Sequence, residues 1–140
     1  MKQLPSNYIY KKCHKANYSY IKLLDRKNFF SLYGQYGLQS LNFGKLTFKQ
    51  IEACRRTIKR GLKKLGFLFL RVFTGVPVTK KPIATRMGKG KGSISHWIAI
   101  IKKGQIFFEI GGISYLTAKD ILKKCSNQLP FKTKMVKIFY

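Results

Sequence analysis

The chain has 140 residues, of which 45% are hydrophobic; that is long and apolar enough for a core of its own and excludes a disordered basic tail. Against 29 Lys+Arg stand only 4 Asp+Glu, a formal net charge of +25. The acids Asp25, Glu52, Glu109 and Asp120 cannot neutralise so many cations, and the compact state repels itself unless a polyanion supplies the missing charge. Nucleic acid is the first such partner and an anionic membrane surface the second.

Other classes find little support. The longest apolar runs, Phe67–Leu70 and Trp97–Ile101, have strand length and fall far short of the ~18 residues of a membrane span. Met1 to Tyr10 lacks the Arg/Ser-rich amphipathic pattern of an import peptide. Cys13, Cys54 and Cys125 are odd in number and far apart, which argues against zinc and against a disulfide framework. Cys54 and Cys125 fall on apolar helix faces and read as small core hydrophobes. Lys dominates over Arg, and Ile, Phe, Tyr and Asn are frequent. That mix fits an A+T-rich coding sequence, from an organelle genome or an A+T-rich bacterium.

In chain order, residues 1–30 form a basic, aromatic arm in which Tyr8, Tyr10, Lys11, Lys12, His14, Lys15, Tyr18 and Tyr20 crowd together. On RNA its cations would meet phosphates and its rings could stack on bases; the alternative is a short edge strand or a loose terminus. Residues 31–140 make one folded domain. A short strand is expected near Tyr36–Ser40. A helix follows over about Phe48 to Leu65, with Thr47 and Gln50 as a capping box and Gly66 at its exit. Ile51, Cys54, Ile58, Leu62 and Leu65 recur at helical spacing as its buried stripe. Lys49, Arg56, Arg60, Lys63 and Lys64 lie on the opposite arc, and only Arg56 finds an i,i+4 acid, Glu52.

Phe67–Phe73 reads as a buried strand, apolar except for Arg71. Pro77 and Pro82 frame a turn-rich link with a short strand between them. The loop Arg86-Met87-Gly88-Lys89-Gly90-Lys91-Gly92 follows. Ile94–Ile101 and Ile106–Ile110 read as strands joined at Lys102-Lys103-Gly104-Gln105, a hairpin signature. A second helix is expected over about Ala118 to Gln128, started by Thr117 with Asp120, stapled by Leu116 on Ile121 and closed before Pro130. Thr133–Phe139 is the last strand. The expected class is α+β, two helices covering one mixed, mainly antiparallel sheet.

The loop Arg86–Gly92 admits three readings. A nucleotide P-loop needs G-x-x-x-x-G-K-[ST] between a strand and a helix; that spacing is missing and a strand follows. A plain flexible hairpin tip is the second. The third is an RNA-facing tip, in which alternating Gly lets the backbone approach closely and alternating Lys meets phosphates; it is preferred. Catalysis has weak support, because the acids are scattered and no Ser/His/Asp set or metal-ligand cluster is visible. A metal-free nuclease using His14 or His96 with Lys is the enzymatic runner-up.

Several ordered motifs resemble the L-sixteen family of large-subunit ribosomal proteins. They are Tyr36-Gly37-Leu38, the run from Leu46 to Arg56, Arg71-Val72-Phe73 with Pro77, Thr79, Lys81 and Pro82, and Trp97-Ile98-Ala99 with Gly104 and Leu129 to Thr133. The loop itself, RMGKGKG, is identical to the family's. The likeness spans about Tyr33 to Val136 and departs at the amino end, where only Lys11 to Lys15 is similar to the family's basic motif and Asn17–Phe30 stands in place of its Arg/Gly-rich stretch.

The resemblance implies a hammerhead-type α+β domain that binds large-subunit ribosomal RNA near the tRNA-accepting cleft. It implies support for subunit assembly and for positioning of aminoacyl-tRNA, with no cofactor, no metal and no catalysis by the protein. Expected partners are that RNA, A-site tRNA and neighbouring large-subunit proteins. The candidate RNA contacts are Lys11, Lys12, His14, Lys15, Lys45, Lys49, Arg55, Arg56, Lys59, Arg60, Lys63, Arg71, Lys80, Lys81, Lys132 and Lys134. Arg86, Met87, Gly88, Lys89, Gly90, Lys91 and Gly92 form the loop reaching toward tRNA and the peptidyl-transferase region. With the composition, the expected compartment is the mitochondrial matrix, with plastid or bacterial cytoplasm as alternatives.

Overall fold

The structure is a computed structural model that describes residues 12–14 and 30–137; most of the expected arm therefore lies outside the described residues. Among the described residues, seven strands and two helices run in the order β1 (Tyr36–Ser40), β2 (Gly44–Thr47), α1 (Phe48–Leu62), β3 (Phe67–Leu70), β4 (Val76–Lys80), β5 (Ser93–Ile101), β6 (Ile106–Gly111), α2 (Tyr115–Ser126) and β7 (Thr133–Lys137). The class is α+β as expected, but the strands form two sheets, not one. The first has the order β3-β6-β1-β7 and the second β2-β5-β4, and every pairing is antiparallel.

The expected β5–β6 hairpin does not exist. β5 is bonded to β2 on one side and β4 on the other. β6 is likewise bonded to β1 and β3. Neither strand has a free edge to offer the other. The segment Lys102–Gln105 is instead a corner between sheets, the kind of place where a strand leaves one sheet for another. The Gln105 amide bonds the Lys102 carbonyl at 3.2 Å, and Gly104 sits at φ 82°. The corner is tied to the end of β1: Gly104 N–H donates to the Ser40 carbonyl at 2.8 Å, and Ser40 N–H to that of Gln105 at 3.0 Å. The buried Gln39 amide donates to the Gly104 carbonyl at 2.7 Å.

Both faces of β1 are covered and all five of its residues are buried. The core is built by Leu38, Leu46, Ile101, Phe107, Phe108 and Ile110 from the strands, with Ile51, Cys54, Ile58 and Leu62 from α1 and Ala118, Ile121, Leu122 and Cys125 from α2. The two helices approach closely at Gly61, where an added Cβ would lie 2.6 Å from Ile121. Cys54 and Cys125 are both free and buried, as the sequence implies.

α1 starts with the expected capping box: Thr47 N–H donates to Gln50 Oε1 at 2.9 Å, and Gln50 N–H to Thr47 Oγ1 at 3.4 Å. It ends a turn earlier than expected. Lys63 takes φ 51° at the cap, and Leu65, read as part of the buried stripe, is exposed. Gly66 matters for approach, because a Cβ there would sit 2.9 Å from the Gly111 carbonyl. α2 begins three residues before its expected start. Ser114 is the N-cap and accepts from Thr117 N–H at 3.5 Å, so Thr117 stands one turn inside, and Leu116, expected ahead of the helix as its staple, is exposed within it. Ser ranks above Thr as an N-cap, and the Thr117 hydroxyl instead donates to the Ser114 carbonyl at 2.8 Å.

β3 is shorter than expected and is an edge strand: Leu68 and Leu70 pack on the core, while Phe67 and Phe69 are exposed. Just beyond it, Arg71 turns inward to Glu109. Glu109 is fully buried on β6 and accepts from Arg71 Nη1 at 2.6 Å and from the amides of Tyr33 at 2.7 Å, Gly34 at 3.0 Å and Leu32 at 3.2 Å. Burial alone would push this carboxyl up. The Tyr33 amide, the Ser31 hydroxyl, the Arg71 guanidinium and the Leu32 amide outweigh it and hold the carboxyl below its ordinary 4.5.

A carboxyl depressed on folding adds stability above its unfolded value, and that stability is lost as pH falls through the folded value. Glu109→Gln should lower unfolding free energy at pH 7 by about 3–5 kcal/mol, because Arg71 is left buried without its counter-charge. Denaturant titrations at pH 7 and below 4.5 should show wild type losing stability on acidification more steeply than the variant. Equal stability of the two proteins at pH 7 would show that the pair contributes nothing.

Candidate nucleic-acid interface

α1 carries the first group of cations. Its buried stripe turns Lys49, Arg56, Lys59, Arg60 and Lys63 outward, all exposed. Glu52 engages both Arg55 and Arg56. Arg55 binds it through two nitrogens at 2.7 Å each, and Arg56 through Nε at 3.1 Å. The i,i+3 contact to Arg55 adds to the i,i+4 pair read from the sequence. Hydrogen bonding from Arg55, opposed by burial and reinforced by Arg56, holds the Glu52 carboxyl at about 2. One anion is thus shared by two guanidinium groups, and a net cation remains at this site.

The second group is the loop. β4 and β5 pair from Val76↔Ile98 to Lys80↔Ser93, so residues 81–92 are the tip of a long hairpin. Residues 82–91 are all exposed. Gly88, Lys89 and Gly90 have φ of 99°, 53° and 79°; three successive left-handed residues explain why two are glycine. Space around Gly88 and Gly90 is open, whereas a Cβ on Gly92 would lie 2.6 Å from the Lys80 carbonyl oxygen. Gly92 therefore lets the hairpin close, and Gly88 and Gly90 shape what it presents. Lys81 Nζ bonds the Gly88 carbonyl at 2.7 Å across the loop.

The structure brings part of the arm to this loop. Lys12 Nζ donates to the Lys91 carbonyl at 3.1 Å, and Lys91 Nζ donates to the Cys13 carbonyl. His14 is exposed beside them. Two segments 79 residues apart thus form one cationic surface. Lys11 and Lys15 lie outside the described residues. Lys45 on β2, Lys80 on β4, and Lys132 and Lys134 at β7 are exposed, and Lys81 is half-buried. Arg71 is different: its side chain is only 7% accessible, and its guanidinium serves Glu109 and the Phe30 carbonyl, not the surface.

The family model described as ribosomal protein L16p/L10e matches residues 5–136. The chain belongs to the ribosomal protein L16p/L10e family. It is 42% identical over 129 residues to the large ribosomal subunit protein uL16 of Buchnera aphidicola subsp. Cinara cedri, covering 92% of both chains. It is 49% identical over 105 residues to uL16 of Psychrobacter arcticus, covering 75% of this chain and 77% of that one. It is also 49% identical over 104 residues to uL16c of Gracilaria tenuistipitata, with 74% and 77% covered.

Within this L16p/L10e fold no metal-binding group of His, Cys, Asp or Glu exists among the described residues. His96, the other histidine weighed for a nuclease, is exposed on β5, with Ser95 Oγ 3.3 Å from its Nδ1. The organising role of Glu109 was missed. A signal for it existed: Glu109 is the one acid in the apolar strand β6 and Arg71 the one cation in the apolar run Phe67–Phe73, and buried charges must pair.

Replacing Arg86, Lys89 and Lys91 together by Ala should leave the unfolding midpoint nearly unchanged, since exposed changes cost within ~0.5 kcal/mol. Gly92→Val should lower stability by about 1–3 kcal/mol through the clash at the hairpin base. Thermal melts of both variants check the contrast, and equal midpoints would refute it.

Proposed function

We propose that this chain is a structural, non-enzymatic constituent of the large ribosomal subunit, binding its RNA near the tRNA-accepting cleft and supporting subunit assembly and aminoacyl-tRNA positioning. Residues 1–30 serve as an RNA-binding arm and 31–140 as the folded body. Family membership supports the ribosomal role. The observation that carries RNA as the ligand is the fate of the acids. Three acids fall among the described residues: Glu52 is shared by Arg55 and Arg56, Glu109 is sealed against Arg71, and only Asp120 is left on the surface. The remaining exposed cations far outnumber it. Phosphate oxygens are the natural counter-charge for such a surface, and they position a protein on RNA without reading sequence.

The residues expected to contact RNA are Lys12, His14, Lys45, Lys49, Arg55, Arg56, Lys59, Arg60, Lys63, Lys80, Lys81, Lys132 and Lys134, with Lys11 and Lys15 of the arm. Arg71 leaves that group, because its guanidinium is committed inside the protein. The tip Arg86–Gly92 approaches A-site tRNA. Peptidyl-transfer chemistry stays with RNA. The Lys-, Ile- and Asn-rich composition favours the mitochondrial matrix as the compartment, ahead of plastid or bacterial cytoplasm. Co-sedimentation with large subunits from each compartment tests both the assembly and its location.

Two outcomes are expected. If ~6–10 phosphates are engaged, affinity for the isolated RNA site should fall ~10³–10⁵-fold between ~50 and ~200 mM salt; a shallow slope, with Arg56→Ala and Arg60→Ala both silent, would mark the α1 face as merely solvated. Subunits carrying the Arg86/Lys89/Lys91 triple-Ala chain should mature slowly or make peptide slowly. Normal subunit profiles and normal synthesis with full incorporation would sink the role of the loop.

A further inference from the structure

The outer side of β3 carries aromatic surface that neither the core nor the cationic faces use. Phe67 and Phe69 point away from the core-facing Leu68 and Leu70 and remain 46% and 40% accessible. Their rings meet edge-on with centroids 5.4 Å apart. Tyr33, 58% accessible, lies 5.1 Å from Phe69 at 35°. Leu65, 80% accessible, precedes them at the turn out of α1. Single exposed apolar residues are ordinary, but a contiguous row is a mark of a binding surface.

The row is held firmly in place. Tyr33 is fixed through its own amide on Glu109, at 2.7 Å. Gly34 beside it cannot be replaced without a Cβ 2.8 Å from the Ile110 carbonyl. Phe67 lies directly over Gly111, where a Cβ would come within 2.4 Å of its ring. The platform is therefore built in advance of any ligand, so little order is lost on binding.

Its neighbours indicate the ligand. Lys63 and Lys64, both exposed, follow the cationic arc of α1 along the chain and immediately precede Leu65 and Phe67. The acid nearest the row, Glu109, is fully buried and already satisfied. Exposed rings that follow exposed cations within a few residues of chain match an unpaired nucleotide: its base stacks on a ring while its phosphates meet the lysines. We propose that Tyr33, Phe69 and Phe67 form a stacking platform for an unpaired RNA base, with Lys63 and Lys64 holding the adjoining phosphates. The proposal rests on the ribosomal RNA reading above and extends it from phosphate contacts to base contacts.

The test uses the full chain with two probes, a 12-nucleotide oligouridylate and an abasic oligoribonucleotide of the same length and charge. Wild type should prefer the base-bearing probe, and Tyr33→Leu with Phe69→Leu, which keep apolar bulk, should remove roughly 5- to 100-fold of that preference. The abasic probe should bind wild type and the double variant alike, with the same salt dependence. Equal binding of both probes by wild type, with steep salt dependence intact, overturns the platform and leaves the phosphate-binding reading standing. Retained base preference in the double variant overturns it too, as would photo-cross-links from Phe67 and Phe69 in assembled subunits that reach a neighbouring protein and no nucleotide. Absence of binding to either probe overturns both readings.

Discussion

One buried carboxylate organises this molecule. Glu109 sits in the middle of β6, in the four-stranded sheet, and collects the guanidinium beyond β3 and the amides of the segment leading into β1. A charge that deep is tolerated only when its oxygens are filled by donors. That demand fixes several things together: where Arg71 points, how residues 32–34 cross the sheet, and where the Tyr33 ring comes to rest. Gly34 is the consequence in sequence, since only a residue without Cβ passes so close to the Ile110 backbone. In a chain so poor in acids, devoting one wholly to the interior leaves fewer to offset cations at the surface.

The two-sheet arrangement then separates structural from ligand-facing duties. The four-stranded sheet, with β1 buried at its centre, forms much of the core. The three-stranded sheet extends the β4–β5 hairpin and its glycine-rich tip into solvent. The corner at Lys102–Gln105 connects the two, anchored on Ser40 and Gln39. α1 bridges the duties within one element: its inner stripe packs against α2 and the strands, and its outer arc is cationic.

Much of the electrostatic logic is negative. Arg55, Arg56 and Arg71 belong to the cation count, yet their first partners are the protein's own carboxylates. Among the described residues, the lysines of the α1 arc and the loop have no comparable supply of acids. Lysine and arginine thereby take different roles. Arginine makes the geometrically demanding pairs that its planar fork suits, and lysine supplies most of the diffuse positive surface. The contacts between Lys12, Cys13 and Lys91 show that loop and arm are also shaped by bonds to backbone carbonyls.

Features that depend on near neighbours along the chain were legible in the residues themselves. The charge imbalance, the capping box at Thr47 and Gln50, the stripe from Ile51 to Leu62, the burial of Cys54 and Cys125, and the glycine–lysine loop all follow from residue type and spacing. Features that depend on distant partners emerged only once the chain was folded. The Lys102–Gln105 turn looks the same in a hairpin as in a corner between sheets, and only the occupation of both edges of β5 and of β6 distinguishes them. Arg71 looked like a surface cation because Glu109, its partner, is 38 residues away. Spacing encodes the faces of an element, whereas the pairing of elements is a competition for edges and buried area that no local window contains.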